Sequence, residues 1–151
     1  MIEFKTIDDV LDFAITNEQR AYDFYSELAE KVSNPAMREA FRGFAEEETG
    51  HKEKLQHIKA TKKFEISAAK IADLKIADYS VDVTASPDMT YQEALTLAMK
   101  REKAAFRLYT NLAHLADNEE VRSTFLALAQ EEAKHKLRFE IEYDDNIYQE
   151  N

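Results

Sequence analysis

The chain repeats itself. Shifting the sequence by 84 residues maps Ala14 onto Ala98, Glu18 onto Glu102, Ala21 onto Ala105, Tyr25 onto Tyr109 and Leu28-Ala29 onto Leu112-Ala113. The same shift maps Phe41 onto Phe125, Ala45 onto Ala129, Glu47-Glu48 onto Glu131-Glu132 and His51 onto His135, with Leu55 falling on Phe139. A repeat of this length, present in two copies, is a helical hairpin used twice rather than a solenoid unit.

The local signals agree with two hairpins. Thr6 and Asp9 can cap a first helix reaching about Lys31, with an apolar stripe of Ile7, Leu11, Ala14, Ala21, Tyr25, Leu28 and Val32. Asn34-Pro35 restarts the chain, Asn as N-cap and Pro at the first helical position. The second helix places Met37, Phe41, Phe44, Leu55 and Ile58 on one face. Thr90-x-x-Glu93 reads as a capping box opening a third long helix, striped by Tyr91, Leu95, Ala98, Ala105, Tyr109 and Leu112. Asp117-Asn118 turns the chain into a fourth, with Val121, Phe125, Leu128 and Phe139. Such short turns make each pair of helices antiparallel neighbours.

Between the hairpins, Ile71, Leu74, Ile76, Tyr79, Val81 and Val83 hold no long helical period. We read a crossover with a short helix near Ala68–Ile76, closed by Ser86-Pro87 and packed on the bundle, because a structureless loop of that length is unusual. The acidic tail from Asp144 to Asn151 is expected to fray. The expectation is therefore an all-α antiparallel four-helix bundle in one domain over 1–151, with hairpins at about 6–62 and 90–145 and a crossover at about 63–89.

Composition bounds the function. Cysteine is absent, which excludes disulfides, zinc–thiolate sites and rubredoxin-type iron, and fits a reducing compartment. A net charge of −10 argues against nucleic acid and anionic membranes as partners. No apolar run is long enough to span a membrane, and Glu3, Asp8 and Asp9 interrupt any signal-peptide pattern. A cytoplasmic protein is expected.

The repeated charges carry the chemistry. Glu18 lies four residues after Ala14 and seven before Tyr25, within the apolar stripe, and Glu102 holds the same place between Ala98 and Tyr109. Glu48 lies four after Phe44, and His51 four before Leu55; Glu132 and His135 sit likewise between Leu128 and Phe139. All six side chains face the core on a helical wheel. A buried unpaired carboxylate costs several kcal/mol, roughly, so four at one level need a shared positive partner. Two divalent cations balance four carboxylates, with neutral His as further donors, and Glu and His three residues apart reach one metal. Mixed oxygen and imidazole ligation suits iron, or manganese, over magnesium or calcium. One Glu-x-x-His means little; two, each partnered by a core-facing Glu, are hard to obtain by accident. A bundle that had lost its metal would have to protonate or solvate these carboxylates.

Glu46, Glu47 and Glu131 are read as a solvated face, and His57 and His114 as surface residues outside the repeated set. Tyr25 and Tyr109, two turns from Glu18 and Glu102, either pack the core or hydrogen-bond a ligand carboxylate.

The phrases Glu18-Gln19-Arg20-Ala21-Tyr22-Asp23-Phe24-Tyr25 and Glu46-Glu47-Glu48-Thr49-Gly50-His51 resemble the rubrerythrin branch of the ferritin-like superfamily. The resemblance covers nearly the whole chain. It implies that Glu48 and Glu132 bridge two irons, that Glu18 and Glu102 are terminal ligands, and that His51 and His135 each cap one iron. It also implies a non-haem oxidoreductase reducing hydrogen peroxide or dioxygen. Two departures matter. Typical rubrerythrins carry a four-cysteine rubredoxin domain; here a separate carrier, rubredoxin-like or similar, would deliver electrons. They also carry a second Glu three residues after the third-helix ligand, where this chain has Ala105. The six-ligand set also resembles bacterioferritin, but Thr49 stands where its haem-ligating Met would follow Glu48, so haem is not expected. The competing expectations are ferroxidation with iron storage or delivery, and a metal-binding bundle without turnover. A homodimer is expected, because the crossover's Ile71, Leu74, Ile76 and Tyr79 exceed what one bundle covers.

Overall fold

The computed structural model describes residues 3–82, 86 and 88–150, with backbone alone at 147–150. Helix α1 spans Ile7–Lys31 and α2 spans Pro35–Thr61. The short α3, Ala68–Asp73, and a 3₁₀ turn, Ile76–Asp78, lie in the crossover; α4 spans Tyr91–Leu115 and α5 spans Glu119–Glu150. No strand occurs among the described residues.

The ends of these helices follow from local chemistry. Thr6 and Asp9 form a full capping box on α1, and Thr90 and Glu93 form one on α4. Asn34 accepts hydrogen bonds from the amides of Ala36 and Met37 and sets Pro35 at the first helical position. Asn118 accepts from Val121 in the same way at the head of α5. Helix α2 stops at Lys62, which adopts a left-handed φ of 57°, a conformation that glycine or asparagine takes more readily.

The repeat is visible in the packing. Arg38 donates to the carbonyl of Val32 at 3.1 Å, and Arg122, its counterpart, donates to the carbonyl of Ala116 at 2.8 Å. Tyr25 stacks on Phe41, and Tyr109 on Phe125, each pair with ring centroids 6.3 Å apart. Helices α1 and α2 pack as one antiparallel hairpin and α4 and α5 as the other.

Two apolar cores close the two ends of the bundle. One joins Val10, Leu11 and Ala14 of α1 with Leu55 and Ile58 of α2, Leu108 and Leu112 of α4, and Val121, Phe125 and Leu128 of α5. The other joins Phe24, Tyr25 and Leu28 with Met37 and Phe41, Leu95 and Ala98, and Phe139. The start of α1 thus shares an end with the finish of α4, so α2 and α4 run parallel. The crossover must travel the length of the bundle, roughly 37 Å for a 25-residue helix. That distance explains why the link between the hairpins is long.

The crossover packs as expected: Phe64, Ile71, Leu74 and Tyr79 are buried in the first core. Its helix is shorter than the expected Ala68–Ile76, because the chain breaks at Leu74 and resumes as the 3₁₀ turn. Since Ile71, Leu74 and Tyr79 are covered by their own bundle, they no longer argue for a dimer. Val83 and Pro87 lie outside the described residues. The tail differs from expectation. Helix α5 continues to Glu150; just before the tail, Tyr91 donates a 3.0 Å hydrogen bond to Glu142 and Tyr143 packs on the second core.

Candidate metal centre

Between the two apolar cores lies a polar layer. Helix α1 contributes Glu18, α2 contributes Glu48 and His51, α4 contributes Glu102, and α5 contributes Glu132 and His135; all six are buried. Core-facing positions on four different helices bring them together at mid-height. Two overlapping groups result: Glu18, Glu48, His51 and Glu132, and Glu48, Glu102, Glu132 and His135. Within each group the candidate ligand atoms lie within 4.8 Å of one another. Glu48 and Glu132 belong to both.

The arrangement is close to two-fold symmetric. Nδ1 of His51 lies 3.2 Å from Glu132 and 3.6 Å from Glu18. Nδ1 of His135 lies 3.2 Å from Glu48 and 3.6 Å from Glu102. The residues present fit a pair of cations. The buried atoms without a hydrogen-bond partner include Nδ1 of both histidines, Oε2 of Glu18 and Glu102, both oxygens of Glu48 and Oε1 of Glu132. Orphaned buried donors and acceptors are rare, and here they converge on one volume.

The hairpins are laced across this layer. Tyr25 of α1 donates to Glu102 of α4, and Tyr109 of α4 donates to Glu18 of α1. Of the two readings of these tyrosines, the hydrogen bond and the core packing both hold. Glu47 and Glu131 do keep a solvated face, with side chains 53% and 37% exposed, but each also reaches a buried histidine. Glu131 pairs with Nε2 of His51, and Glu47 with Nε2 of His135. Each acid points about 100° away from its neighbouring core Glu on its own helix, which places it against the histidine of the facing helix. The doublet Glu47-Glu48, retained as Glu131-Glu132, was the available signal. Glu46, His57 and His114 are exposed, as expected.

Arg101 was missed. Its guanidinium is buried at the centre of the layer. Nη2 lies 3.1 Å from Glu18 and 2.9 Å from Glu48, and Nη1 lies 3.1 Å from Glu102 and 2.5 Å from Glu132. The repeat gives no hint of it, because its counterpart is Asn17. Its spacing does: Arg101 lies three residues after Ala98, four before Ala105 and seven before Leu108, on the apolar stripe. Long cations near such stripes commonly reach back to solvent, which hides the signal.

Electrostatics follow from this crowd. Burial raises the Glu48 and Glu132 pKa values, helped by the other carboxylates, although the Arg101 charge works against it. For Glu18 and Glu102 burial also pushes upward, but Arg101 and the nearby histidines win and hold both below the usual range. Burial would lower the histidines; hydrogen bonds and charges from Glu132 and Glu18 instead raise His51 to about 11. Glu102 and Glu132 raise His135 to about 9. Burial and the adjacent carboxylates push the Tyr25 and Tyr109 phenols well up, so both hold their protons. Without metal, Arg101 and two imidazolium rings thus offset carboxylates that share protons.

Fold and site together define a ferritin-like four-helix bundle with a buried carboxylate–histidine centre. The sequence model of the rubrerythrin family matches residues 9–87 and 93–151, and the chain belongs to that family. A Thermotoga maritima protein described as a ferritin-like diiron-carboxylate protein shares the fold, with a TM-score of 0.77, 20% identity and coverage of 97% of this chain and 99% of that one. A hypothetical protein from Pyrococcus furiosus is similar at a TM-score of 0.71, with 24% identity and 95% of each chain covered. No curated protein matches the sequence significantly. Among the described residues no helix is long and apolar enough to cross a membrane.

Proposed function

We propose that the chain holds two iron ions, with manganese as the alternative, and acts as a rubrerythrin-type oxidoreductase that reduces hydrogen peroxide or dioxygen. The observation that carries this reading is the pair of overlapping ligand groups sharing Glu48 and Glu132. Glu18, Glu48, His51 and Glu132 would hold one ion, and Glu48, Glu102, Glu132 and His135 the other. Iron bound there supplies, from two ferrous ions, the two electrons that cleavage of a peroxide bond consumes.

The rest of the work falls to the protein. Glu131 and Glu47 fix the histidine rings with Nδ1 inward, because a carboxylate on Nε2 requires the proton there. Tyr25 and Tyr109 keep their protons and orient Glu102 and Glu18. The apolar cores above and below exclude bulk water, which strengthens each charge interaction in the layer. A separate electron carrier is the partner this reading calls for. It is tested by mixing the ferrous-loaded protein with peroxide in a stopped-flow instrument. Oxidation much faster than that of free ferrous ion is expected; an equal rate contradicts the reading.

Arg101 favours a second reading, a metal-binding bundle without turnover. A guanidinium lying beside all four carboxylates offsets part of their charge and so supports the fold without metal. Under that reading metal binds, but peroxide does not hasten its oxidation.

A further inference from the structure

We propose that Arg101 is an internal counter-cation that occupies the metal centre when metal is absent and must leave it for two metal ions to enter. This rests on the metal-binding reading above, and concerns what governs occupancy rather than the reaction. The fork of the guanidinium maps onto the two ligand groups. Nη2 contacts Glu18 and Glu48 of the first, and Nη1 contacts Glu102 and Glu132 of the second. Each nitrogen therefore claims carboxylate oxygens that one cation would take. The planar, permanently charged fork suits such bridging better than an ammonium does.

Position makes the two occupants exclusive. The guanidinium nitrogens lie 2.5–3.1 Å from oxygens of all four core carboxylates, so a guanidinium left there would face two divalent charges at contact distance. One way out is marked by a small cavity of about 20 Å³ between α1, α4 and the crossover, lined by Arg101 itself, Asn17, Tyr79, Ala104 and Ala105; it holds about one water, so the guanidinium must widen it on leaving. The small side chain at Ala105 leaves that space, and Asn17 offers an amide to a displaced guanidinium.

Metal binding then starts from a state that Arg101 stabilises, so the arginine weakens affinity while supporting the metal-free fold. The test compares wild type with R101Q and R101K. Fe(II) is titrated anaerobically against a competing chelator, with Mn(II) in parallel, and thermal melts are recorded with and without metal. R101Q should bind roughly 10²-fold more tightly, because an arginine-free centre leaves its carboxylates unpaired until metal arrives. Its metal-free melting temperature should fall, and R101K should lie between the two. Should R101Q not fold without metal, the free Fe(II) concentration at half-refolding replaces the titration; a value below the wild-type midpoint supports the proposal, and one at or above it overturns it. Equal or weaker binding by R101Q overturns the proposal and leaves the metal reading intact. Metal uptake by R101Q but not by wild type supports the proposal and overturns the oxidoreductase reading. No uptake by any of the three overturns both.

Discussion

Glu131 on α5 pairs with Nε2 of His51 on α2, 80 residues earlier in the chain. The contact turns Nδ1 of that ring toward Glu18 and Glu132 and fixes which nitrogen is free for a cation. Glu47 does the same for His135. Replacing either acid by Gln should weaken metal binding about 10- to 100-fold, the usual effect of losing such a partner. Chelator competition on E131Q and E47Q measures it. Unchanged affinity would mean that the pairs are incidental.

Tyr25 and Tyr109 each donate to a buried carboxylate, Glu102 and Glu18. Phe in either place keeps the packing against Phe41 or Phe125 and removes the donor. Y25F and Y109F should each destabilise the metal-free protein by about 1.5–3 kcal/mol, the usual worth of a hydrogen bond to a charged group. Urea unfolding reads the difference. A change within a few tenths of a kcal/mol would show that water replaces the phenol without loss.

Most of the buried carboxylate–histidine layer was legible in the sequence, because repetition doubled each signal. Glu18 and Glu102, or His51 and His135, support one another as neither copy does alone. Arg101, Glu47 and Glu131 were not legible in the same way. Arg101 breaks the repeat, and the partners of Glu47 and Glu131 lie on a facing helix that no single-helix wheel contains. In the tail, acidic composition suggested fraying, whereas α5 carries its helical backbone on to Glu150.

Protons should leave when metal enters. Without metal, His51 titrates at about 11 and His135 at about 9, so both rings are charged at neutral pH. Metal needs them neutral, so affinity should rise with pH and uptake should release about two protons from the rings. The sign for the fold alone is opposite. Both folded values lie above the ordinary imidazole value, so this contribution to stability is complete below about pH 6.5 and is lost as pH rises through 9 to 11. Calorimetric titration in buffers of different ionisation enthalpy counts the protons. Metal-free melts that stay flat from pH 6.5 to 10 would contradict the assignment.

Gly43 sits inside α2 with no atom within 4 Å of where a Cβ would stand. G43A should therefore stabilise the protein by about 0.5–1 kcal/mol through helix propensity alone. Chemical denaturation checks it, and a loss of stability would point to a packing role for the glycine.

The central claim is a paired centre sharing Glu48 and Glu132, and diffraction at the iron absorption edge tests it most directly. Crystals grown anaerobically with Fe(II) should show two anomalous peaks, one beside Nδ1 of His51 and one beside Nδ1 of His135. No peak in the layer, with the Arg101 guanidinium still among the four carboxylates, would contradict it.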